Sequence, residues 1–134
     1  MSAVLVVEDE LAVRRILRLT LARMGCMVAE AESVETAREA LQAFGQHFDL
    51  ILLDLNLPDE TGWELLRRLD DWTPKAPDSD TLAPRPAVIV MTAVRPAQSR
   101  MEEFRPAGLL LKPFPIEALI RQVERALSRP TVTG

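Results

Sequence analysis

In the segment Asp49–Gly62, DLILLDLNLPDETG, an apolar run ends abruptly in a carboxylate. Leu50, Ile51, Leu52 and Leu53 form the kind of continuous stretch that lies in a parallel sheet covered on both faces. Asp54 follows at once, and Asn56, Pro58 and Gly62 then supply turn chemistry. The pattern predicts a buried strand that delivers Asp54 to the mouth of the sheet, out of the core.

Working outward, Ala3–Val7 is a β-rich apolar run ending at Glu8, Asp9 and Glu10. Val13, Ile16, Leu17, Leu21 and Met24 are spaced for one face of a helix, which Gly25 would stop. Met27–Ala31 is a weak strand. Ser33 can cap a second helix with Val34, Ala37, Leu41 and Phe44 on its apolar face and Gly45 at its end. Leu65, Leu66 and Leu69 mark a third helix, Ala87–Met91 a fourth strand and Gly108–Leu111 a fifth. Between them the fourth helix must be short, started by Pro96 and ended by Pro106. Pro115 suits the first turn of a last helix with the stripe Ile116, Leu119, Ile120, Val123 and Leu127. Strand and helix alternate five times, which predicts an α/β fold: a doubly wound, five-stranded parallel sheet with helices on both faces. Thr73–Pro86, with four prolines in fourteen residues, breaks the rhythm and reads as a loop insertion.

Parallel strands present their carboxyl ends at one edge, where ligands bind. Asp9 follows the first strand, Asp54 the third, Thr92 the fourth and Lys112 the fifth, with Glu8 and Glu10 beside Asp9. Taken singly, each would read as a cap or turn residue. Their joint placement at four strand ends points to one site. At about 5 Å and an effective dielectric near 20, a like-charged carboxylate pair costs on the order of 3 kcal/mol. A cation would relieve that, and an oxygen-only donor set selects a hard ion such as Mg²⁺. With the Lys112 ammonium and the Thr92 hydroxyl, such a patch could neutralise phosphoryl oxygens while a carboxylate attacks phosphorus in line.

Composition narrows the classes. The chain has 134 residues, 48% apolar and 27% charged, the size of one globular domain. A formal net charge of −4 gives no general attraction for nucleic acid or an anionic membrane. Cys26 is the one cysteine, so no internal disulfide can form; it reads as a small buried hydrophobe. The start, MSAVLVVEDE, shows no secretory signal, and a cytoplasmic location is expected. His47 reads as a surface residue, Trp63 and Trp72 as packing residues. Arg14 and Arg15 read as a solvated helix face that could help dock a phosphodonor.

Through VVEDE, LILLDLNLPDETG, VIVMTA and LLLKPF, in that order, the chain resembles the receiver domain of two-component response regulators, the CheY-like family. The resemblance runs from Val4 to Leu127. It implies the flavodoxin-like strand order 2-1-3-4-5, a receiver domain over 1–128 and a short tail over 129–134. It implies Asp54 as phosphoacceptor and a Mg²⁺ ion held by Asp9, Asp54, the backbone carbonyl of Asn56 and, through water, Glu8. Thr92, Ala93 and Lys112 match the phosphate-binding and switch positions. A cis peptide bond is common in the family before the proline at position 113. The implied partners are a sensor histidine kinase or histidine phosphotransfer protein as donor, and a downstream protein. Nucleic acid and membrane are not expected, and the chain would be a monomer or weak dimer.

Two departures stand out. The family's usual aromatic switch residue is Leu109 here, and the fourth helix is short. After Leu127 only SRPTVTG remains, which as it stands leads one to expect a stand-alone signalling module, not an enzyme. A receiver-fold binding module that does not depend on phosphorylation is the competing reading. An aspartate-nucleophile phosphatase fits poorly, because it would place its nucleophile after the first strand with a second acid two residues on.

Overall fold

The computed structural model describes residues 1–43, 47–73 and 85–128. Along them run β1 (Ala3–Val7), α1 (Leu11–Arg23), β2 (Met27–Ala31), α2 (Val34–Gln42), β3 (Leu50–Asp54) and α3 (Gly62–Trp72). Then follow β4 (Ala87–Thr92), α4 (Gln98–Phe104), β5 (Gly108–Leu111) and α5 (Ile116–Leu127). The strands form one parallel sheet in the order β2-β1-β3-β4-β5, as the sequence leads one to expect. Phe44, Gly45 and most of the Thr73–Pro86 segment lie outside the described residues.

The central strand β3 is buried along its whole length, which is why its sequence shows no polar alternation. Alternate residues feed two cores. Val4, Val6, Leu50 and Leu52 pack with Leu17 and Leu21 of α1 and Leu119 and Val123 of α5. Leu5, Val7, Ile51 and Leu53 pack with Val34 and Ala37 of α2 and Leu65 and Leu69 of α3. Two isoleucines expected on the apolar helix faces stay exposed, Ile16 at 52% and Ile116 at 38%. Their sites on α1 and at the start of α5 flank a surface groove instead of the core.

The helix ends follow local chemistry. Gly25, at φ 86°, takes the left-handed conformation after α1. Its amide donates to Ala22 O at 3.0 Å and that of Cys26 to Leu21 O at 3.1 Å, the paired closure of a Schellman motif. Ser33 caps α2 in a reciprocal capping box with Thr36. Pro115 sits at the N-cap of α5 rather than inside its first turn, and α4 begins at Gln98, two residues beyond Pro96.

Register sets the site. Val7 pairs with Leu53, so Glu8 and Asp54 stand level one step further on. Asp54 pairs with Met91 and Thr92 with Leu111, which brings Lys112 to the same edge.

Candidate functional site: an acidic pocket closed by a lysine

Glu8 and Asp54 are the buried charged residues among those described, at 0% and 4% exposure. This corrects the expectation for Asp54, which lies inside the edge of the sheet and not in its open mouth. Asp54 is the last residue of β3, and the start of α3 approaches its backbone closely. Gly62 makes that approach possible: a Cβ there would stand 2.6 Å from the Asp54 carbonyl oxygen and 3.0 Å from Leu55 Cα. The Gly62 amide donates to Leu55 O at 3.0 Å. Sequence reading took Gly62 for a turn residue; the decisive demand on it is close approach to the backbone of Asp54.

Lys112 spans the two buried acids. Its Nζ donates to Glu8 Oε1 at 2.8 Å and to Asp54 Oδ2 at 2.9 Å. The other Asp54 oxygen, Oδ1, accepts the Asn56 amide at 2.9 Å. Asp9 is exposed at the rim. Carboxylate oxygens of Glu8, Asp9 and Asp54 lie within 4.8 Å of one another.

Of the two buried acids, Glu8 holds the proton and Asp54 the charge. Burial, and then hydrogen bonding to Asp54, pushes Glu8 up to about 8, against the pull of Lys112. Burial opposes the charge of Asp54 as well, but hydrogen bonds from Glu8, the Asn56 amide and Lys112 outweigh it and hold Asp54 below the usual carboxylate range. Burial likewise works against the Lys112 ammonium, yet its bonds to Glu8 and Asp54 raise its pKa. Near neutral pH a protonated Glu8, an ionised Asp54 and an ammonium thus coexist. The repulsion expected from the sequence is relieved by a proton and a lysine even without a metal.

The donor set suits a divalent hard cation. All three side chains offer oxygen, and the buried Glu8 Oε2 has no hydrogen-bond partner among the described residues. An orphaned buried carboxyl oxygen carries a desolvation penalty of about 1–3 kcal/mol that a bound cation or its water would remove.

Thr92 is placed differently from its expected partners. Its hydroxyl donates to Val94 O at 3.1 Å and accepts the Val94 amide at 3.3 Å, so it is engaged in the β4–α4 turn. Ala93 is exposed beside it. Leu109 packs against the core on the α2–α3 side, and its carbonyl accepts the Gln122 amide group at 2.8 Å. The Lys112–Pro113 peptide bond is cis.

Arg14, read from the sequence with Arg15 as part of a solvated helix face, is instead engaged. Its side chain is only 14% exposed, its Nη1 donates to the Glu8 carbonyl at 2.8 Å, and its Nε meets Glu30 Oε1 at 3.0 Å. It buttresses the backbone that carries the acidic pair. The available signal was position, one helical turn after an acidic strand end, but a lone arginine on a helix gives no sign of its target.

Comparison with known proteins agrees with this geometry. The family model of the response regulator receiver domain matches residues 4–124. The KDP operon transcriptional regulatory protein KdpE of Escherichia coli is 39% identical over 99% of this chain and 54% of its own length. The DNA-binding transcriptional regulator NtrC of a Bradyrhizobium strain is 33% identical over 96% of this chain and 25% of its own. The chain therefore spans about half or less of these curated relatives, which lend no support to a stand-alone module. A two-component response regulator from Clostridium difficile shares the fold at a TM-score of 0.79 with 23% identity, over 96% of this chain and 98% of that one. The Thermotoga maritima response regulator TrrA, solved in complex with Mg²⁺ and BeF, aligns at a TM-score of 0.74 with 25% identity, over 95% of this chain and 100% of its own. Sheet order, acidic pocket and sequence match thus converge: the chain belongs to the response regulator receiver domain family, the phosphoacceptor modules of two-component signalling.

Proposed function

We propose that Asp54 accepts a phosphoryl group from a phosphohistidine on a sensor histidine kinase or phosphotransfer protein. The observation that carries this is Lys112 Nζ seated between Asp54 Oδ2 and Glu8 Oε1 at 2.9 and 2.8 Å. An Asp54 oxygen forms the new O–P bond, the donor's N–P bond breaks, and the leaving imidazole nitrogen keeps the electron pair and takes a proton. Asp54, Asp9 and the Asn56 backbone carbonyl would hold Mg²⁺, with Glu8 reaching it through water. The ion supplies charge neutralisation for the transferring phosphoryl oxygens. Lys112 then exchanges its carboxylate contact for a phosphoryl oxygen, and the Ala93 amide and Thr92 hydroxyl lie on the neighbouring strand end to do the same.

Donor access is supported by an apolar groove of about 620 Å³ lined by Val13, Ile16, Leu17, Phe114 and Ile116, with Lys112 and Ala93 in its wall. Its continuity with the pocket suits a helix presenting a phosphohistidine beside apolar side chains. The output passes to a downstream protein through surface contacts, from a receiver domain over 1–128. Among the described residues no helix is long and apolar enough to cross a membrane, and we assign the domain to the cytoplasm.

Incubation with Mg²⁺ and acetyl phosphate tests the assignment. The protein should gain the mass of one phosphoryl group, the gain should vanish with a chelator, and Asp54→Asn should show none. No gain in the wild-type protein would favour a binding module independent of phosphorylation, a reading for which the packed Leu109 and the turn-engaged Thr92 speak.

A further inference from the structure

The β3–α3 connection is pinned at two points. At its base an isolated antiparallel bridge joins Asn56 to Thr61. At its tip Asp59 reaches across to another helix. Its Oδ1 accepts the Val34 amide and its Oδ2 the Glu35 amide, both at 3.0 Å. These amides belong to the first turn of α2, where backbone donors have no partner inside the helix. Ser33 takes the next one, from Thr36, at 3.1 Å.

Two devices therefore cap one helix, and they differ in kind. Ser33 is local and is what a helix of this length ordinarily uses. Asp59 lies 25 residues from Val34 in sequence, and a capped helix does not require it. What its bidentate grip adds is attachment of the loop. Burial works against its charge, but the Val34, Glu35 and Glu60 amides keep its carboxyl below the ordinary range, so the grip persists at neutral pH. The positive end of α2 strengthens it.

We propose that Asp59 is a positioning residue for the cation site, which rests on the phosphoacceptor reading given above. By fixing the loop tip on α2 it holds Asn56, whose amide meets Asp54 Oδ1 at 2.9 Å, in the place that orients the Asp54 carboxylate. Asp59 touches neither the cation nor the phosphoryl group; it acts through Asn56, as an outer partner of a metal site does.

Calorimetric Mg²⁺ titration of the wild-type protein, Asp59→Ala, Asp59→Asn and Ser33→Ala, with melting curves of each, tests this. Asp59→Ala should weaken Mg²⁺ binding roughly 10-fold, the lower range for outer-shell partners. Asp59→Asn, which keeps one oxygen acceptor, should recover part of the loss. Ser33→Ala should lower the melting temperature by a comparable amount and leave Mg²⁺ affinity unchanged. Unaltered affinity in Asp59→Ala, or an equal loss in Ser33→Ala, overturns the inference while the phosphoacceptor reading stands. A wild-type protein that binds no Mg²⁺ overturns both.

Discussion

The ring of Phe104 stacks on the indole of Trp63, centroids 5.2 Å apart and planes inclined by 20°. Arg67 lies over the Phe104 ring, its guanidinium carbon 5.3 Å from the centroid, and meets Glu103 at 3.5 Å. The end of the short helix α4 is thereby tied to the start of α3, one residue from the glycine packed on Asp54. Leu109 carries no ring to swing, and among the described residues this stack is the aromatic contact that joins α4 to α3. In a Trp72→Phe background, which leaves Trp63 as the one indole, Phe104→Ala should redden the Trp63 emission. The lost stack should remove about 1 kcal/mol beyond lost area burial. Emission and stability unchanged from the parent would show that the two rings do not pack in solution.

Stability in metal-free buffer should depend on pH through Glu8. The folded group ionises at about 8, the unfolded one near its ordinary 4.5. Between those values the folded chain holds the extra proton, so stability is full below about 4.5 and falls as pH rises toward 8. The total change is on the order of a few kcal/mol. Asp54, with its pKa lowered, works the other way, contributing stability above the ordinary aspartate range that is lost as pH falls through its folded value. Thermal melts should therefore be highest near pH 5, and Glu8→Gln should flatten the alkaline limb. A wild-type profile flat from pH 5 to 8 would place the proton elsewhere.

Lys112→Ala removes the ammonium that bridges two buried acids. Without metal the variant should be less stable than the wild type, and Mg²⁺ should recover most of the difference, binding at least as tightly. A melting temperature indifferent to Mg²⁺ would mean that ion and lysine do not answer the same charge. The phosphorylated variant should fail to alter partner binding, since no ammonium is left to follow the phosphoryl oxygen.

Gly62→Ala puts a methyl group 2.6 Å from the Asp54 carbonyl oxygen, backbone that cannot swing aside. Relief requires the loop or the strand end to shift, at a cost of about 1–3 kcal/mol for an overpacked site. Phosphoryl uptake from acetyl phosphate should slow along with the loss of stability, because the displaced atom belongs to the acceptor residue. Uptake at the wild-type rate would show that the site tolerates such a shift.

The strands were legible because each is a short apolar run bounded by polar or turn residues; β5 spans Gly108–Leu111 as read from the sequence. Glu8, Asp9, Asp54 and Lys112 were legible because parallel topology alone gathers strand ends. Three things were hidden, for physical reasons. The burial of Asp54 goes with the close approach of the start of α3 to the end of β3, which Gly62 permits and no periodicity reports. The proton on Glu8 depends on side-chain distances that register does not specify. Arg14 and Asp59 bind backbone groups on other segments, and a backbone amide or carbonyl leaves no trace in the sequence. Ile16 and Ile116 were assigned to the core because periodicity reports an apolar helix face without saying what covers it.

The most direct test of the account is the location of the phosphoryl group. After exposure to acetyl phosphate and Mg²⁺, borohydride reduction converts an acyl phosphate to the alcohol, and fragmentation of the peptides spanning residues 1–14 and 49–62 reads its position. The account predicts homoserine in place of Asp54 and unmodified Glu8 and Asp9. Reduction at either of those acids, or at none of the three, would contradict it.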